Sequence, residues 1–146
     1  MPVLEVVLDT SILARGLRTS PNTAVGYIMD SWAGGRFRLV LSHYILDELQ
    51  RTLSKPYFQR NVPAQLIERY PSVLRQNAIL SPITASIPDI ALGRGDNMVL
   101  ATADSASASY LVTGDHRLHE VGSYRGIEII DPGTFAGILR TLQTPR

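Results

Sequence analysis

The sequence predicts an α/β fold built on a mostly parallel sheet, and three observations support that prediction. Short aliphatic runs typical of buried strands alternate with longer stretches of helical character. Glycine, proline and cap-forming residues stand where one kind of segment gives way to the next. No internal repeat or linker divides the 146 residues, a length that suits a single domain, residues 1–146, with one buried core. Alternating strands and helices favour parallel strands joined by helical crossovers.

The first part of the chain predicts one strand and two helices. Val3–Leu8 is an aliphatic run that indicates a buried parallel strand, and the cap-forming Asp9 follows it. A short helix is expected over Ile12–Gly16. A second helix is predicted to open at Ser20-Pro21, because proline suits a first helical turn, and to run to about Trp32 before two glycines stop it.

The middle of the chain predicts one further strand and two further helices. Phe37–Leu41 is expected to form the second strand, and Ser42–Leu53 a helix with the serine as its cap. Lys55-Pro56 breaks that helix. Another helix is predicted over Ala64–Asn77, which Pro71 either interrupts or divides into two shorter pieces.

The last third begins with a loop and ends with a capped helix. Pro82–Gly95 contains several turn-forming breaks and predicts a loop with little strand. The alanine-rich segment Asn97–Ser109 predicts a helix, and strands are expected over Tyr110–Thr113 and Ile127–Ile130. Asp131-Pro132, an acid cap followed by proline, opens the terminal helix.

Composition restricts the class of protein more than it identifies a ligand. The net charge of +1 gives by itself no argument for nucleic-acid binding. All but one of the 14 basic residues are arginine, which suits bidentate phosphate contacts, although genome composition produces the same bias. The chain has no cysteine, so disulfides and thiolate metal sites are excluded. Its apolar runs are too short to cross a bilayer, and a cytoplasmic protein is expected.

Four acidic residues occupy positions that a parallel sheet would bring together. Asp9 follows the first strand, and Glu48 lies in the helix after the second strand. Asp96 precedes the alanine-rich helix, and Asp115 follows the next strand in a Gly-Asp turn. Because the carboxyl ends of parallel strands meet at one edge, these carboxylates are expected to share a pocket. A hard divalent cation bound by oxygen ligands would relieve their repulsion at neutral pH.

Each acid also has an ordinary structural explanation when it is taken alone. Asp9 and Asp96 stand where aspartate commonly caps a helix, and Asp115 suits a tight turn. Glu48 falls on the flank of the apolar stripe of its helix, whereas Asp47 lies nearly opposite that stripe and should be solvated. The joint placement of the four acids favours a shared site over four separate structural roles.

Several other polar side chains are weaker candidates. His116 and His119 are three residues apart and have metal-ligand chemistry, but two exposed loop histidines are the simpler interpretation. Three hydroxyl-bearing residues next to the acids are candidates to orient the carboxylates: Thr10, Ser11 and Thr113.

Four ordered segments, VVLDTSILARG, LSHYILDELQRTL, GDNMVLATA and ASYLVTGDHRL, resemble the PIN-domain family, and in particular toxin components of bacterial and archaeal toxin–antitoxin systems. The similarity extends through the terminal IEIIDPGTFAGIL segment. It implies a three-layer α/β/α sandwich whose mostly parallel sheet of five strands has the order 3-2-1-4-5. The family's acidic residues correspond to Asp9, Glu48, Asp96 and Asp115. Two departures are Ser11, where the family often has asparagine, and Gly93-Arg94-Gly95, where relatives carry further acids.

The resemblance implies a metal-dependent ribonuclease. The resulting hypothesis is hydrolysis of RNA phosphodiester bonds with Mg²⁺ or Mn²⁺ held by the four acids, giving a 5′-phosphate and a 3′-hydroxyl. An antitoxin whose tail covers the acidic pocket and a homodimer are expected on the same basis. The arginines that are candidates to contact the RNA backbone are Arg15, Arg18, Arg94 and Arg117.

The main alternative is a non-catalytic module of the same fold that binds RNA or a protein without cutting. A phosphotransfer domain is disfavoured because Thr10 and Ser11 follow Asp9 and because the only lysine, Lys55, does not lie late in the chain. A dinucleotide-binding fold is disfavoured because no glycine-rich turn follows the first strand.

Overall fold

The computed structural model describes residues 3–85 and 92–142, and in these ranges a six-stranded sheet is formed. The strands are β1 (Glu5–Leu8), β2 (Arg38–Leu41), β3 (Ile79–Leu80), β4 (Tyr110–Val112), β5 (Ser123–Tyr124) and β6 (Ile127–Ile130). The helices are α1 (Thr10–Gly16), α2 (Ala24–Ala33), α3 (His43–Leu53), α4 (Pro56–Asn61), α5 (Ala64–Asn77), α6 (Arg94–Ser105), α7 (His116–Val121) and α8 (Pro132–Leu142).

The strands lie in the order β3-β2-β1-β4-β6-β5, and helices cover both faces of the sheet. The first five strands of this order are parallel, which confirms the predicted arrangement 3-2-1-4-5. The expected number of strands was one too low, because β5 adds an antiparallel strand beside β6. Arg125 and Gly126 join these two strands with positive φ angles of 48° and 85°, the conformation of a tight two-residue hairpin turn.

The central strand β1 is buried on both faces of the sheet. Val6, Val7 and Leu8 of β1 are all inaccessible to solvent, so this strand is buried on both sides, as its continuous aliphatic run predicted. Between the sheet and the α2–α8 layer, the ring of Phe135 packs edge-on against Phe37 with centroids 5.2 Å apart. The core therefore fixes the positions of the residues that follow each central strand.

Two predicted helices have different ends in the structure. α2 begins at Ala24 instead of Ser20, because Ser20 and Thr23 form a turn in which the Thr23 amide donates to the Ser20 carbonyl over 3.0 Å. The Thr23 side chain then caps the helix by accepting from the Gly26 amide. α6 begins at Arg94 and ends at Ser105, before Ser107 takes a left-handed φ of 54°.

Proline has different effects at two positions of the chain. Pro71 was expected to interrupt or divide its helix, but α5 runs unbroken over Ala64–Asn77 with the Pro71 ring buried. Burial of the ring compensates for the helical hydrogen bond that proline cannot donate. Pro56 ends α3 as predicted and also opens α4, a short helix that the sequence analysis missed.

Three other short elements were also missed: β3, α7 and β5. Of the predicted loop Pro82–Gly95, residues 86–91 lie outside the described part of the chain, and Arg94 and Gly95 belong to α6. None of the helices in the described ranges combines the length and apolar character that crossing a bilayer requires.

The terminal helix is capped by Asp131, as predicted. Its carboxylate accepts a hydrogen bond of 2.7 Å from the Thr134 amide, and this bond, followed by that of the Thr134 hydroxyl, lowers the pKa of Asp131. We expect Asp131→Ala to destabilise the protein by about 1 kcal/mol at neutral pH. Because the folded-state pKa is depressed, this contribution is present above the unfolded pKa and is lost as the pH falls through the folded one.

Thermal denaturation of wild type and Asp131→Ala at neutral and at strongly acidic pH measures this effect. The two proteins should differ at neutral pH and converge in acid. An equal difference at both pH values would show that the carboxylate charge is not what stabilises the helix start.

Candidate active site

Asp9 and Thr113 lie side by side at the carboxyl edge of the sheet because the strands that precede them are paired. Leu8 at the end of β1 is aligned with Val112 at the end of β4, and the Asp9 amide donates to the Val112 carbonyl over 3.0 Å. One Asp9 carboxylate oxygen accepts from the Thr113 hydroxyl, and the other from the Thr10 amide, each over 2.7 Å. Asp9 is therefore held at the start of α1 from two directions.

Asp115 is tied to Asp9 through the same threonine. The Thr113 hydroxyl accepts a hydrogen bond of 3.0 Å from the Asp115 amide while it donates to Asp9. The Asp115 carboxylate accepts from the Arg117 amide over 2.8 Å and so caps α7. Of the three hydroxyls suggested by the sequence, the Thr113 hydroxyl bonds to Asp9, whereas Thr10 contacts that acid through its backbone amide.

Asp96 is the third residue of α6 and not its cap. Gly93 occupies the cap position and offers no side-chain hydrogen bond, so the capping interpretation of Asp96 was wrong. A carboxylate in the first turn still interacts favourably with the positive end of the helix dipole. The side chain is half-buried and lines the same cleft as Asp9 and Asp115.

Glu48 lies on the flank of α3, as the apolar stripe of that helix predicted. Its side chain is 34% exposed, whereas its neighbour Asp47 is exposed to solvent. The Glu48 carboxylate is paired with the guanidinium of Arg51 one turn further along, with the Arg51 Nε at 3.1 Å. This ion pair was not foreseen from the sequence.

All four predicted acids line one open cleft of about 560 Å³. They come from four separate elements, and the cleft lies at the carboxyl edge of the sheet, where open α/β proteins bind ligands. Thr10 and Ser11 line it as well. Within residues 3–85 and 92–142, however, no three carboxylate or imidazole side chains are close enough together to enclose one metal ion as they stand.

Sequence analysis missed other residues of the cleft, although helical spacing contained a signal for some of them. Tyr44 and Thr52 are four residues before and after Glu48 on α3, and all three face the cleft. Arg15, already a candidate for RNA contact, follows Ser11 by the same spacing on α1 and also lines the cleft. Lys55 precedes α4, and no periodic pattern marks it.

The three aspartates influence one another electrostatically. Burial raises the pKa of Asp9, the negative charge of Asp115 adds to that shift, and the hydrogen bonds from Thr113 and Thr10 oppose it. Burial also raises the pKa of Asp96, and the charges of Asp115 and Asp9 raise it further. A hydrogen bond between the Asp96 and Asp115 carboxyl groups acts in the same direction, against the opposing charge of Arg117. Negative charge is thus concentrated in the cleft.

The two histidines are not in a loop, so that interpretation was wrong. Both lie on α7, where His116 is exposed and His119 is half-buried. A ring nitrogen of His119 is hydrogen-bonded to the Thr113 carbonyl, which ties α7 to the end of β4. Neither histidine lines the acidic cleft.

The fold and the cleft define an α/β protein with an acidic site at the carboxyl ends of its parallel strands. Residues 5–117 match the PIN domain family, and the chain belongs to that family. Among curated protein sequences, none matches this chain.

Three solved structures share the fold. The crystal structure of VapBC2 from Rickettsia felis, bound to a DNA fragment from their promoter, has a TM-score of 0.62 and 13% identity, covering 88% of this chain and 98% of that one. PAE2754 from Pyrobaculum aerophilum has a TM-score of 0.61 and 23% identity over 94% of this chain and 90% of that one. FitAcB from Neisseria gonorrhoeae has a TM-score of 0.55 and 16% identity over 88% and 98%.

Proposed function

We propose that this protein is a metal-dependent ribonuclease, and that Asp9, Glu48, Asp96 and Asp115 are its active-site acids. The observation that carries the proposal is the meeting of these four carboxylates, from four elements distant in sequence, in one cleft of a PIN-domain fold. Separate capping roles would not require the four side chains to face the same space. The reaction we propose is hydrolysis of a phosphodiester bond in RNA.

The chemistry of the cleft fits a hard divalent cation such as Mg²⁺ or Mn²⁺. The available donors are carboxylate oxygens, and burial, followed by the negative charges of Asp115 and Asp9, raises the pKa of Asp96, so that a bound cation would offset the repulsion between these acids. Mg²⁺ usually retains several waters and binds through one or two carboxylates, so it does not need three side chains in tight convergence. Asp9, Asp96 and Asp115 would hold the cation, with Glu48 contributing when its carboxylate leaves Arg51.

The protein's own groups prepare this site before a substrate arrives. Thr113 fixes the spacing of Asp9 and Asp115 because its hydroxyl is bonded to both residues. The Thr10 amide fixes the second Asp9 oxygen, so that carboxylate has little freedom to rotate. A bound divalent cation would supply Lewis acidity toward the phosphate and a lowered pKa for an attacking water. The expected products are a 5′-phosphate and a 3′-hydroxyl.

A cleavage assay with purified protein tests the proposal. Single-stranded RNA is incubated with Mg²⁺, with Mn²⁺ or with EDTA, and the new ends are identified by their labelling chemistry. Cleavage that requires the cation and leaves 5′-phosphates is the expected result. Anomalous diffraction from Mn²⁺-soaked crystals would locate the ion relative to Asp9, Asp96 and Asp115.

Cation binding should weaken as the pH falls, because protons compete for carboxylates whose pKa values are raised. Asp9 and Asp96 both bind protons more tightly in the folded protein than in the unfolded chain, chiefly because of burial. Their contribution to stability is therefore present in acid and is lost as the pH rises through the raised pKa values. A cation bound to the ionised carboxylates would reverse that loss.

The increase in Tm caused by Mn²⁺, measured from neutral to acidic pH, tests this dependence. We expect the increase to be largest at neutral pH and to disappear below the raised pKa values of the two aspartates. A Mn²⁺ effect that is constant over this range would mean that the cation binds elsewhere.

We further propose that the protein is the toxin of a toxin–antitoxin pair and that it forms a homodimer. VapBC2 and FitAcB, which share the fold, belong to toxin–antitoxin systems. An antitoxin would act most directly by covering the acidic cleft with a basic segment. Co-expression with the product of a neighbouring short reading frame, followed by size-exclusion chromatography with light scattering, tests both the partner and the dimer.

Two observations favour the alternative of a non-catalytic module that binds RNA or a protein. Glu48 is engaged by Arg51, and the described carboxylates do not converge on one ion. This alternative predicts RNA or protein binding with no cleavage at any Mg²⁺ or Mn²⁺ concentration. The cleavage assay above distinguishes the two functions.

A further inference from the structure

A second, smaller cavity adjoins the acidic cleft. It has a volume of about 190 Å³ and lies between α1 and α4, where it is lined by Arg18, Tyr57 and Phe58 among others. Arg15 lines both this cavity and the acidic cleft. Lys55 lines the cleft and precedes Tyr57 by two residues. The two spaces share Arg15, and the line of residues Lys55, Arg15 and Tyr57 beside the four acids is called the path below.

Two cationic side chains, those of Arg15 and Lys55, lie along this path. Among the residues that the structure describes, neither the Arg15 nor the Lys55 side chain has an ion-pair or hydrogen-bond partner, although both line a cleft that contains four acids. Arg51, in contrast, neutralises Glu48 directly. Cations that leave nearby carboxylates unpaired remain available to an anionic ligand that reaches the same cleft.

Tyr57 offers an aromatic surface at the far end of the path. Its side chain is among the most exposed large hydrophobic side chains in the described ranges, at 54%. The ring is held by an edge-on contact with Phe58, with centroids 5.1 Å apart, and by a hydrogen bond of 2.8 Å that Arg18 donates to its hydroxyl. A fixed ring that remains exposed beside a guanidinium group is the arrangement on which nucleic-acid bases stack.

We propose that this path binds single-stranded RNA, with one base stacked on Tyr57 and the intervening phosphates bound by Arg15 and Lys55. The inference rests on the proposed ribonuclease function and identifies the strand's position beside the acids. It selects single strands because a base in a duplex is stacked on its neighbours and cannot reach a ring at the protein surface. The RNA backbone carries one negative charge per nucleotide, so its phosphates can pair with the two cationic side chains beside the proposed cleavage site.

A direct measurement of RNA binding tests this subsite independently of the cleavage reaction. Fluorescence anisotropy is measured with a labelled single-stranded oligoribonucleotide of about 12 nucleotides and with the matching duplex, in Ca²⁺, for wild type, Tyr57→Ala and Tyr57→Phe. We expect Tyr57→Ala to weaken single-strand binding at least about fivefold and Tyr57→Phe to bind like wild type, since phenylalanine keeps the ring. Arg15→Gln and Lys55→Gln should each weaken binding. Each should also reduce the slope of log affinity against log salt concentration by about one, the amount expected for the loss of one phosphate contact.

Arg60→Gln is the matched control for lost positive charge, because Arg60 is exposed on α4 and lines neither cavity. A 2-aminopurine base in the oligonucleotide should be quenched by wild type and by Tyr57→Phe but not by Tyr57→Ala, which reports stacking itself. Equal affinities of wild type and Tyr57→Ala, or preference for the duplex, would overturn the subsite and leave this surface to a protein partner. Cation-dependent cleavage by wild type is scored separately, so the proposed function stands or fails independently of Tyr57.

Discussion

Asp9→Asn should abolish cation-dependent RNA cleavage, with a loss of at least about a hundredfold in single-turnover rate. Asparagine keeps the size of the side chain but removes the charge that would hold a divalent cation. The local hydrogen bonds survive, because an amide can accept from the Thr10 amide and donate to the Thr113 hydroxyl. The loss should therefore reflect charge and not a displaced side chain.

The same substitution is expected to make the protein more stable at neutral pH. Burial raises the pKa of Asp9 in the folded state, so its ionised form is disfavoured by folding. Replacing it with a neutral group removes that cost, and urea unfolding at neutral pH should show a higher midpoint than wild type. A gain in stability together with a loss of activity is the signature of a charge retained for function.

Asp47→Asn is the matched control, because Asp47 is an exposed carboxylate on the same helix as Glu48 and does not line the cleft. It should cleave RNA at the wild-type rate. Wild-type turnover by Asp9→Asn would remove Asp9 from the active site, and the proposed ribonuclease mechanism with it.

Gly26→Ala should have the largest effect on stability, about 3 kcal/mol or more. A methyl group on Gly26 would lie 1.9 Å from the Ser20 carbonyl oxygen and 2.6 Å from its carbonyl carbon. That oxygen also accepts bonds from the Thr23 amide and hydroxyl, at 3.0 and 2.7 Å, so the turn cannot move without losing them. Helix propensity alone would favour alanine by about 1 kcal/mol, and the steric conflict exceeds that gain.

Gly137→Ala is the control for this prediction. Gly137 also lies in a helix, α8, but nothing lies within 4 Å of an added methyl group. This variant should be more stable than wild type by about 0.5–1 kcal/mol, as measured by urea unfolding. Two glycines with opposite responses would confirm that close approach, and not helix propensity, decides the outcome at Gly26. Equal stabilisation by both substitutions would show that the Ser20–Thr23 turn can move away from the added methyl group at little cost in stability.

The parts of the fold that depend on long apolar runs and side-chain caps could be predicted from the sequence. Strands β1 and β2 could be predicted from their aliphatic runs, and the helix caps Ser42 and Asp131 from their residue types. The two-residue strands β3 and β5 could not be predicted in this way. Elements of that length exist only because a neighbouring strand supplies hydrogen-bond partners, and two residues define no period.

For the candidate site, the residues could be predicted from the sequence but several of their contacts could not. Its three aspartates could be selected because each stands near a strand end or helix start, and Glu48 because it lies on the flank of the apolar stripe of its helix. The pairing of Glu48 with Arg51 and the position of Lys55 at the cleft depend on side-chain conformations that spacing does not specify. The alternative explanation of Asp96 as a cap was wrong because Gly93, three residues before it, takes that position without any side-chain bond.

The bond between Thr113 and Asp9 joins residues 104 positions apart, so the acidic cleft has a high contact order. β4 must pair with β1 for Asp115 to approach Asp9. During synthesis, a chain that has emerged from the ribosome only as far as α5 contains Asp9 and Glu48 but lacks the other two carboxylates. If the protein cleaves RNA as proposed, the messenger and ribosome that produce it are spared until the chain has been synthesised through Asp115.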